Sequence, residues 1–355
     1  MTDHPEPMRA STPADARSRL LAVKLRALVG DHRGAPLADD AVVGAFPSGA
    51  ALVVDDVAWV LADGVASGAL GRALAWAIRQ HAQALNIVAE QDTGALARRA
   101  AHLAFPVNVW FAEGRSLFPA MPEPLATPPT AAPEHLALAP LIAAAHADVT
   151  VEHGVVFGEV RGLEVCRVVD EPTTGTIADG ELAALAAARG PADDGVLLEV
   201  GVGANDREAF RLIHGDVPTL DALGSVVDAV LAHRSDGAPQ HPLNRLARER
   251  YLRWRLQQQP QLAGLATVAP SEPPLPRPNL RDAVPCVATG ERGDGTPTTV
   301  VCSTGVDLDL VGYVADVHAR GDASVTVVLP SRDRVAITDE LLARLASPVD
   351  VVTVD

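Results

Sequence analysis

Lysine is nearly missing. Lys24 is the only one in 355 residues, and arginine supplies the rest of the positive charge. A phosphate-binding Walker loop needs a glycine-rich turn ahead of its lysine, and none precedes Lys24. Anions must therefore be met by arginine, backbone N–H groups or a metal. Aromatic residues make up only 3% of the chain, so Ala, Val and Leu must fill the core. The three cysteines, Cys166, Cys286 and Cys302, match no zinc spacing and are odd in number. Each sits in or beside an apolar run, which predicts buried free thiols and a reducing compartment. No stretch reaches membrane-spanning length, and the N-terminus lacks the apolar core of a signal peptide. These absences predict a cytoplasmic protein with no membrane partner.

Basic residues are also outnumbered. There are 29 Lys and Arg against 45 Asp and Glu, for a formal charge of −16. An acidic surface repels phosphate backbones and argues against a general nucleic-acid binder. What the chain does have is apolar length, 48% hydrophobic, enough for a large core and more than one domain.

Periodicity predicts an α/β chain in several parts. Residues 1–16 read as a disordered N-terminus. An N-terminal α/β unit follows over 17–118, then a proline-rich linker over 119–133. An α+β middle domain covers 134–268, and a second proline-rich linker covers 269–297. A C-terminal α/β unit closes the chain over 298–355. In the middle domain the pattern predicts a helix over 134–147, a hairpin from 149–157 and 163–169, and a short helix over 181–188. The two flanks share an order. Residues 57–111 and 298–354 each run strand, helix, strand, helix, Pro-Val, strand. We read them as two Rossmann-like βαβαβ halves, an internal repeat flanking the middle domain. Strands alternating with helices imply parallel pairing.

The most chemically suggestive stretch is Gly195 to Glu208. It reads as a buried strand, a glycine turn and a helix start. Leu197-Leu198-Glu199-Val200-Gly201-Val202-Gly203 resembles the glycine-rich first motif of S-adenosylmethionine-dependent methyltransferases. That resemblance implies S-adenosylmethionine held against the backbone at Gly201, Gly203 and Asn205. Asn205 stands where that family commonly has a third glycine.

The order helix, hairpin, strand, helix in the middle domain also resembles the core of restriction-endonuclease-like nucleases. The resemblance implies that Glu164 and Glu199, on adjacent strands, hold a divalent metal that activates water, with Asp206 and Glu159 close enough in sequence to join. Gly201 stands where that family usually has a lysine.

Two further stretches are candidates for ligand binding. Asn244 to Arg255 carries five arginines on one predicted helix together with Tyr251 and Trp254. Arg248 and Arg253 are expected on its exposed side, Leu246 and Trp254 against the core. This is the one place where nucleic acid or an acidic partner finds a local basic face. Ser303-Thr304-Gly305 ends a strand just before a helix, where hydroxyls and N–H groups can meet an anion.

The resulting expectation is a ligand- or partner-binding module. The alternative is a metal-dependent phosphodiester hydrolase, and after it a methyltransferase. Glu199 sits on a strand read as buried on both faces, so it is expected to face a polar cavity or to accept N–H bonds from the Gly203–Asp206 turn.

Overall fold

The computed structural model describes residues 13–37, 43–44, 46–47, 49–64, 68–170, 195–213, 219–235, 240–321 and 323–355. The helix expected over 181–188, and residues 1–12 of the N-terminus expected to be disordered, lie outside the described residues.

The chain starts with helix α1 (Pro13–Arg33) and strands β1 (Val43–Gly44), β2 (Gly49–Val54) and β3 (Val57–Ala62). Then come α2 (Leu70–Arg79), β4 (Ala84–Ala89), α3 (Thr93–Ala100), β5 (Val107–Glu113) and β6 (Ser116–Pro119). The middle begins with two short helices, α4 (Pro133–Leu136) and α5 (Ala139–Ala144). Strands β7 (Asp148–Glu152), β8 (Val155–Val160), β9 (Leu163–Asp170) and β10 (Val196–Val200) follow. Next are α6 (Ala204–Ile213), α7 (Thr219–His233), α8 (Arg248–Gln258) and strands β11 (Leu265–Pro270), β12 (Cys286–Arg292) and β13 (Pro297–Cys302). The last elements are α9 (Leu310–His318), β14 (Ser324–Pro330), α10 (Ala336–Leu342) and β15 (Val349–Val354).

The fold is mixed α/β with three sheets, and the chain divides into two compact units. Unit 1 holds Met1–Leu125, Leu308–Asp322 and Val335–Pro348. Its six-stranded sheet runs in the order β1-β2-β3-β4-β5-β6. Strands β3, β4 and β5 pair in parallel, and the flanking strands pair antiparallel. Strands β3 and β4 are mostly apolar and buried, while β5 alternates buried and exposed positions, with Asn108, Phe111 and Glu113 exposed. Leu25, Leu28 and Val29 of α1 close one core cluster with Leu52, Trp59 and Leu61. Helices α9 and α10 belong to this unit. The fully buried Asp316 of α9 accepts from Arg98 Nε at 3.0 Å and Arg99 Nε at 2.8 Å, both arginines lying on α3. An isolated antiparallel bridge joins Leu103 and Leu345. In it Ala104 N–H donates to Arg344 O and Ala346 N–H donates to His102 O, each at 2.8 Å.

Unit 2 holds Ala126–Asp307, Ala323–Arg334 and Val349–Asp355. Its first sheet is an antiparallel meander in the order β10-β9-β8-β7. Ile142 of α5 and Leu223, Val227 and Val230 of α7 cover it, over Val156, Val160, Leu163 and Val165. The second sheet has the order β11-β12-β13-β14-β15. Strands β11 to β13 pair antiparallel and β13 to β15 in parallel. Leu252 and Leu256 of α8 pack against Leu265, Ala288, Val300 and Val328 of that sheet.

Several boundaries differ from those the sequence suggests. Helix α1 starts at Pro13, inside the stretch read as disordered. Pro is well suited to the first helical turn, whose N–H groups have no partner anyway. The single strand expected over 149–157 is two strands, because His153 (φ 49) and Gly154 (φ 75) make a two-residue turn with both φ values positive. Part of the second proline-rich stretch is strand β12. Its buried run Cys286-Val287-Ala288 is short and lies between prolines, which hid it in the sequence.

The turn between β8 and β9 needs its glycine. Gly162 has φ +75, and a Cβ there would lie 2.3 Å from the carbonyl carbon of Arg250 in α8. Only a residue without a side chain lets this hairpin meet the helix backbone.

Candidate functional site

A cavity of about 650 Å³ opens within unit 2. Its walls come from β7 to β9, from the turn into α6, from α8 and from the segment 276–282. Five arginines line it, Arg167, Arg207, Arg250, Arg277 and Arg281, against three carboxylates, Glu152, Glu164 and Asp282. In a chain of net charge −16 the lining carries more cations than carboxylates, with Glu199, Glu159 and Glu249 just behind it paired to Arg207, Arg250 and Arg277.

The first side of the cavity is built around Glu164, which is 2% exposed. Arg167, three residues on along β9, grips it with two bonds of 2.9 Å, Nε to Oε1 and Nη2 to Oε2. Arg207 of α6 donates through Nη1 to Glu164 Oε1 at 2.8 Å and through Nε to Glu199 Oε2 at 3.2 Å. One guanidinium thus bridges the two carboxylates that the sequence placed on neighbouring strands. The antiparallel register of β9 and β10 brings them together, with Glu199 opposite Arg167.

The turn after β10 positions Arg207. Gly201 has φ +134, and a Cβ there would lie 2.9 Å from Arg207 N. Its N–H donates to Val165 O at 2.8 Å. The Val202 N–H donates to Asp206 Oδ2 at 2.6 Å. The turn thus uses Asp206 as one acceptor. Glu199, expected to face a polar cavity or to accept N–H bonds from the turn, accepts from Arg207. Gly203, at φ +81, lines the cavity. Asn205 falls in α6, and its side chain lies outside the described set. Among the described residues strand β10 pairs only with β9, and it is half-buried over Val196 to Glu199. The expectation of burial on both faces came from its apolar composition, and the half-exposed Val196 to Glu199 do not meet it.

The second side is a buried quartet. Arg250 and Arg253 of α8 face Glu152 of β7 and Glu159 of β8. Arg253 donates to Glu152 Oε1 at 3.0 Å and to Glu159 Oε2 at 2.9 Å. Arg250 donates to Glu159 Oε1 at 2.7 Å and pairs with Glu152 as well. Thr150 Oγ1 adds a weak bond to Glu159 at 3.4 Å. Burial pushes the Glu159 carboxyl up, but Arg253 and Arg250 outweigh it and hold the group below its usual range. Burial pulls Arg253 down, and Glu159 with its neighbours more than reverses that. Arg250 also stacks over the Phe157 ring at 4.9 Å.

This corrects the reading of the arginine-rich helix. Arg253 is 0% exposed, so it faces the carboxylates and not solvent. Helical spacing of the apolar residues had left it outside, because the pattern cannot show that the facing strands carry glutamates. Arg248 is half-buried, as is Trp254, while Leu246 packs on the meander core as expected. Arg250 and Arg253 are both committed to internal carboxylates, which removes them from any basic face of α8.

Two smaller cavities adjoin α8. One, of about 470 Å³, lies at the carboxyl ends of β13, β14 and β15, lined by Thr304, Ser331, Arg248, Arg332 and Tyr251 among others. It brings together Arg248 and Thr304, which the sequence singled out separately. Ser303 is buried, and its N–H donates to Val328 O. Gly305 N–H donates to Asp333 Oδ2 at 2.7 Å, so that donor is already used. The other cavity, of about 330 Å³, lies at the start of α8.

All three cysteines are free and buried. Burial pushes the Cys166 thiol up to about 12. Cys286 sits opposite Cys302 in the β12–β13 register, and that neighbour together with burial raises the Cys302 thiol well above its usual value. Such thiols are poor nucleophiles. Lys24 pairs with Glu90 on the surface of unit 1 at 2.6 Å. No helix among the described residues is long and apolar enough to cross a membrane.

The implied cofactors do not fit these side chains. Glu164 has both oxygens engaged by guanidinium groups, and Glu199 shares one of them. The place a divalent cation would take between the two is filled by Arg207. Among the described residues no group of three or more His, Cys, Asp or Glu is placed to hold a metal ion. The methyltransferase resemblance needs its glycine motif at the end of a strand inside a parallel sheet. Here that strand pairs antiparallel with β9. No family model, curated protein or solved structure matches the chain.

The residues that sequence reasoning passed over are Glu152, Arg207, Arg250, Arg277 and Arg281. A usable signal was the excess of arginine over lysine. Arg makes bidentate, weakly hydrated pairs and is the cation suited to buried networks.

Proposed function

We propose that unit 2 is a binding module for a small acidic ligand, taken into the arginine-lined cavity. The observation that carries this reading is the lining itself, five arginines against three carboxylates in a strongly acidic chain. The Glu164 and Glu152 networks fix three of those arginines in place. A preorganised lining loses little side-chain entropy on binding. Arg281 has no side-chain partner among the described residues and is left to meet the ligand. The site residues in this reading are Gly203, Arg167, Arg207, Arg277 and Arg281, with Glu164, Glu199 and Asp206 as the groups that position Arg207. The metal-dependent hydrolase is the weaker reading, since its two carboxylates are the ones Arg207 holds.

The test is a thermal-shift screen with mono-, di- and tricarboxylates and phosphorylated metabolites, against chloride at matched ionic strength. A ligand at a hundredfold excess over its Kd stabilises the native state by about 2.7 kcal/mol, which is several degrees in midpoint. Ala204→Trp, which fills the exposed mouth of the cavity without touching an ion pair, is expected to remove that shift. A screen in which no compound shifts the midpoint beyond the salt control would sink the reading.

We further propose that 57–111 and 298–354 are copies of one Rossmann-like unit. What supports this is their common strand order, β3-β4-β5 and β13-β14-β15, each parallel and each preceded by an antiparallel strand. The reciprocal bridge adds to it, because Leu103 and Leu345 stand at equal distances before Pro106 and Pro348. Superposition of β13-β14-β15 on β3-β4-β5 is expected to align all three strands residue for residue; a register that separates Pro348-Val349 from Pro106-Val107 would refute it. A cytoplasmic setting is supported by the buried, unpaired cysteines.

A further inference from the structure

We propose that the start of α8 is a phosphate-binding site. This deepens the reading above by naming a ligand class, and it rests on that reading only in sharing Arg277 and Arg281 with the larger cavity. The cavity there, about 330 Å³, is lined by Arg245, Arg248, Arg277 and Arg281, with Glu249 and Asp282 as its only acidic side chains.

The acids are already engaged. Glu249 Oε1 accepts from Thr304 Oγ1 at 2.6 Å, and Glu249 Oε2 accepts from Arg277 Nη2 at 3.3 Å. Asp282 Oδ2 accepts from Asn279 Nδ2 at 2.7 Å. The cations are not similarly engaged. Among the described residues the side chains of Arg245, Arg248 and Arg281 have no hydrogen-bond or ion partner. In the rest of unit 2 the arginines of the ion-pair networks have carboxylates, so three unpaired ones around a single cavity stand apart.

Arg277 gives the independent sign of a ligand. Its side chain is 8% exposed. Its Nε donates to Asn279 O and its Nη2 to Asp282 O, each at 2.7 Å, while Nη1 is buried without a hydrogen-bond partner among the described residues. A buried guanidinium nitrogen without an acceptor is costly, and an anion beside it would supply the acceptor.

The helix adds a fourth contribution. Ala247, the residue before α8, is left-handed at φ +45 and offers no side-chain cap. The first-turn N–H groups of an 11-residue helix therefore stand open beside these arginines. Four guanidinium groups against two engaged carboxylates leave an excess of two positive charges. That matches a phosphate monoester near neutral pH, and the planar fork of arginine matches its oxygens. A single carboxylate would leave half of this charge unmet.

The experiment is isothermal titration of the full chain with inorganic phosphate and with glycerol phosphate, at constant ionic strength. Both are expected to bind, and tighter binding of the ester would favour a phosphorylated metabolite over the free ion. In the double variant Arg245→Ala, Arg248→Ala the affinity for both is expected to fall at least tenfold. Neither arginine is committed to an ion pair, so the variant should keep the wild-type circular dichroism spectrum and melting midpoint. Unchanged phosphate affinity in that variant overturns the proposal. So does loss of phosphate binding in Ala204→Trp with the double variant unaffected, since the phosphate would then sit in the larger cavity. Carboxylates binding the larger cavity while phosphate binds nowhere would overturn this site and leave the acidic-ligand module standing. Binding of neither class would remove both.

Discussion

Arg253→Met is expected to destabilise unit 2 by about 3–5 kcal/mol, the cost of leaving a buried charge without its partner. Arg253 is fully buried and is shared by Glu152 and Glu159, which are themselves buried. Methionine keeps most of the volume and removes the charge, so the loss is electrostatic and not a cavity effect. Two carboxylates are then left to Arg250 alone. The pH dependence separates this from simple packing loss. In the native protein Arg253 and Arg250 hold Glu159 below its ordinary range. A depressed carboxyl contributes stability that is present above its unfolded pKa, about 4.3, and lost as pH falls through the folded value. In the variant the part of that depression due to Arg253, its largest cause, is lost while Arg250 stays and burial, which raises the group, remains. Protonation then relieves the variant as pH falls, and the gap between the two proteins narrows. Urea titrations at pH 7.5 and pH 4.5 measure this. A gap of the same size at both values would mean that the quartet is not what Arg253 holds together.

Asp316→Asn is the matching experiment in unit 1, with an expected loss of about 3–5 kcal/mol. Asp316 is 0% exposed, and Arg98 and Arg99 converge on it from α3. Asparagine keeps the shape and one acceptor but no charge. The two guanidinium groups, each nine-tenths buried, then lose their shared anion. Because the pairs are out of solvent, the effect should change little between 0.05 and 0.5 M salt, where the Debye length falls several-fold. The exposed pair Arg115 with Asp31 provides the contrast. Arg115→Ala should leave the stability close to that of the parent. If Asp316→Asn were no more costly than Arg115→Ala, the α3–α9 contact would be apolar packing with the charges incidental.

Both predictions turn on buried ion pairs, and these are what the sequence could not display. Glu152, Glu159, Arg250 and Arg253 are ordinary surface letters on a strand pair and a helix. The helical pattern of Leu246, Leu252 and Trp254 even placed Arg253 outside. Nothing in one dimension pairs residue 152 with residue 253. The same holds for Arg207. Glu164 and Glu199 were legible as neighbours because the meander order sets adjacent strands side by side. The residue between them was not, because it enters from a helix whose approach is fixed by a glycine turn at φ +134.

Other features were decided by the sequence alone. Strands β2 and β3 lie within a residue of where the Val and Ala runs put them, joined through Asp55-Asp56, both at positive φ. The parallel strands β4, β5, β14 and β15 follow from short runs rich in valine and other apolar residues, interrupted by Asn86, Asn108 and Asp350. The three cysteines are buried free thiols, as their apolar surroundings required. These are local properties, set by side-chain pattern and turn chemistry within a few residues. Tertiary structure alone decided which charges were neutralised and which were left open. Coulombic pairing acts between residues tens to hundreds of positions apart, and only the packed chain fixes those distances.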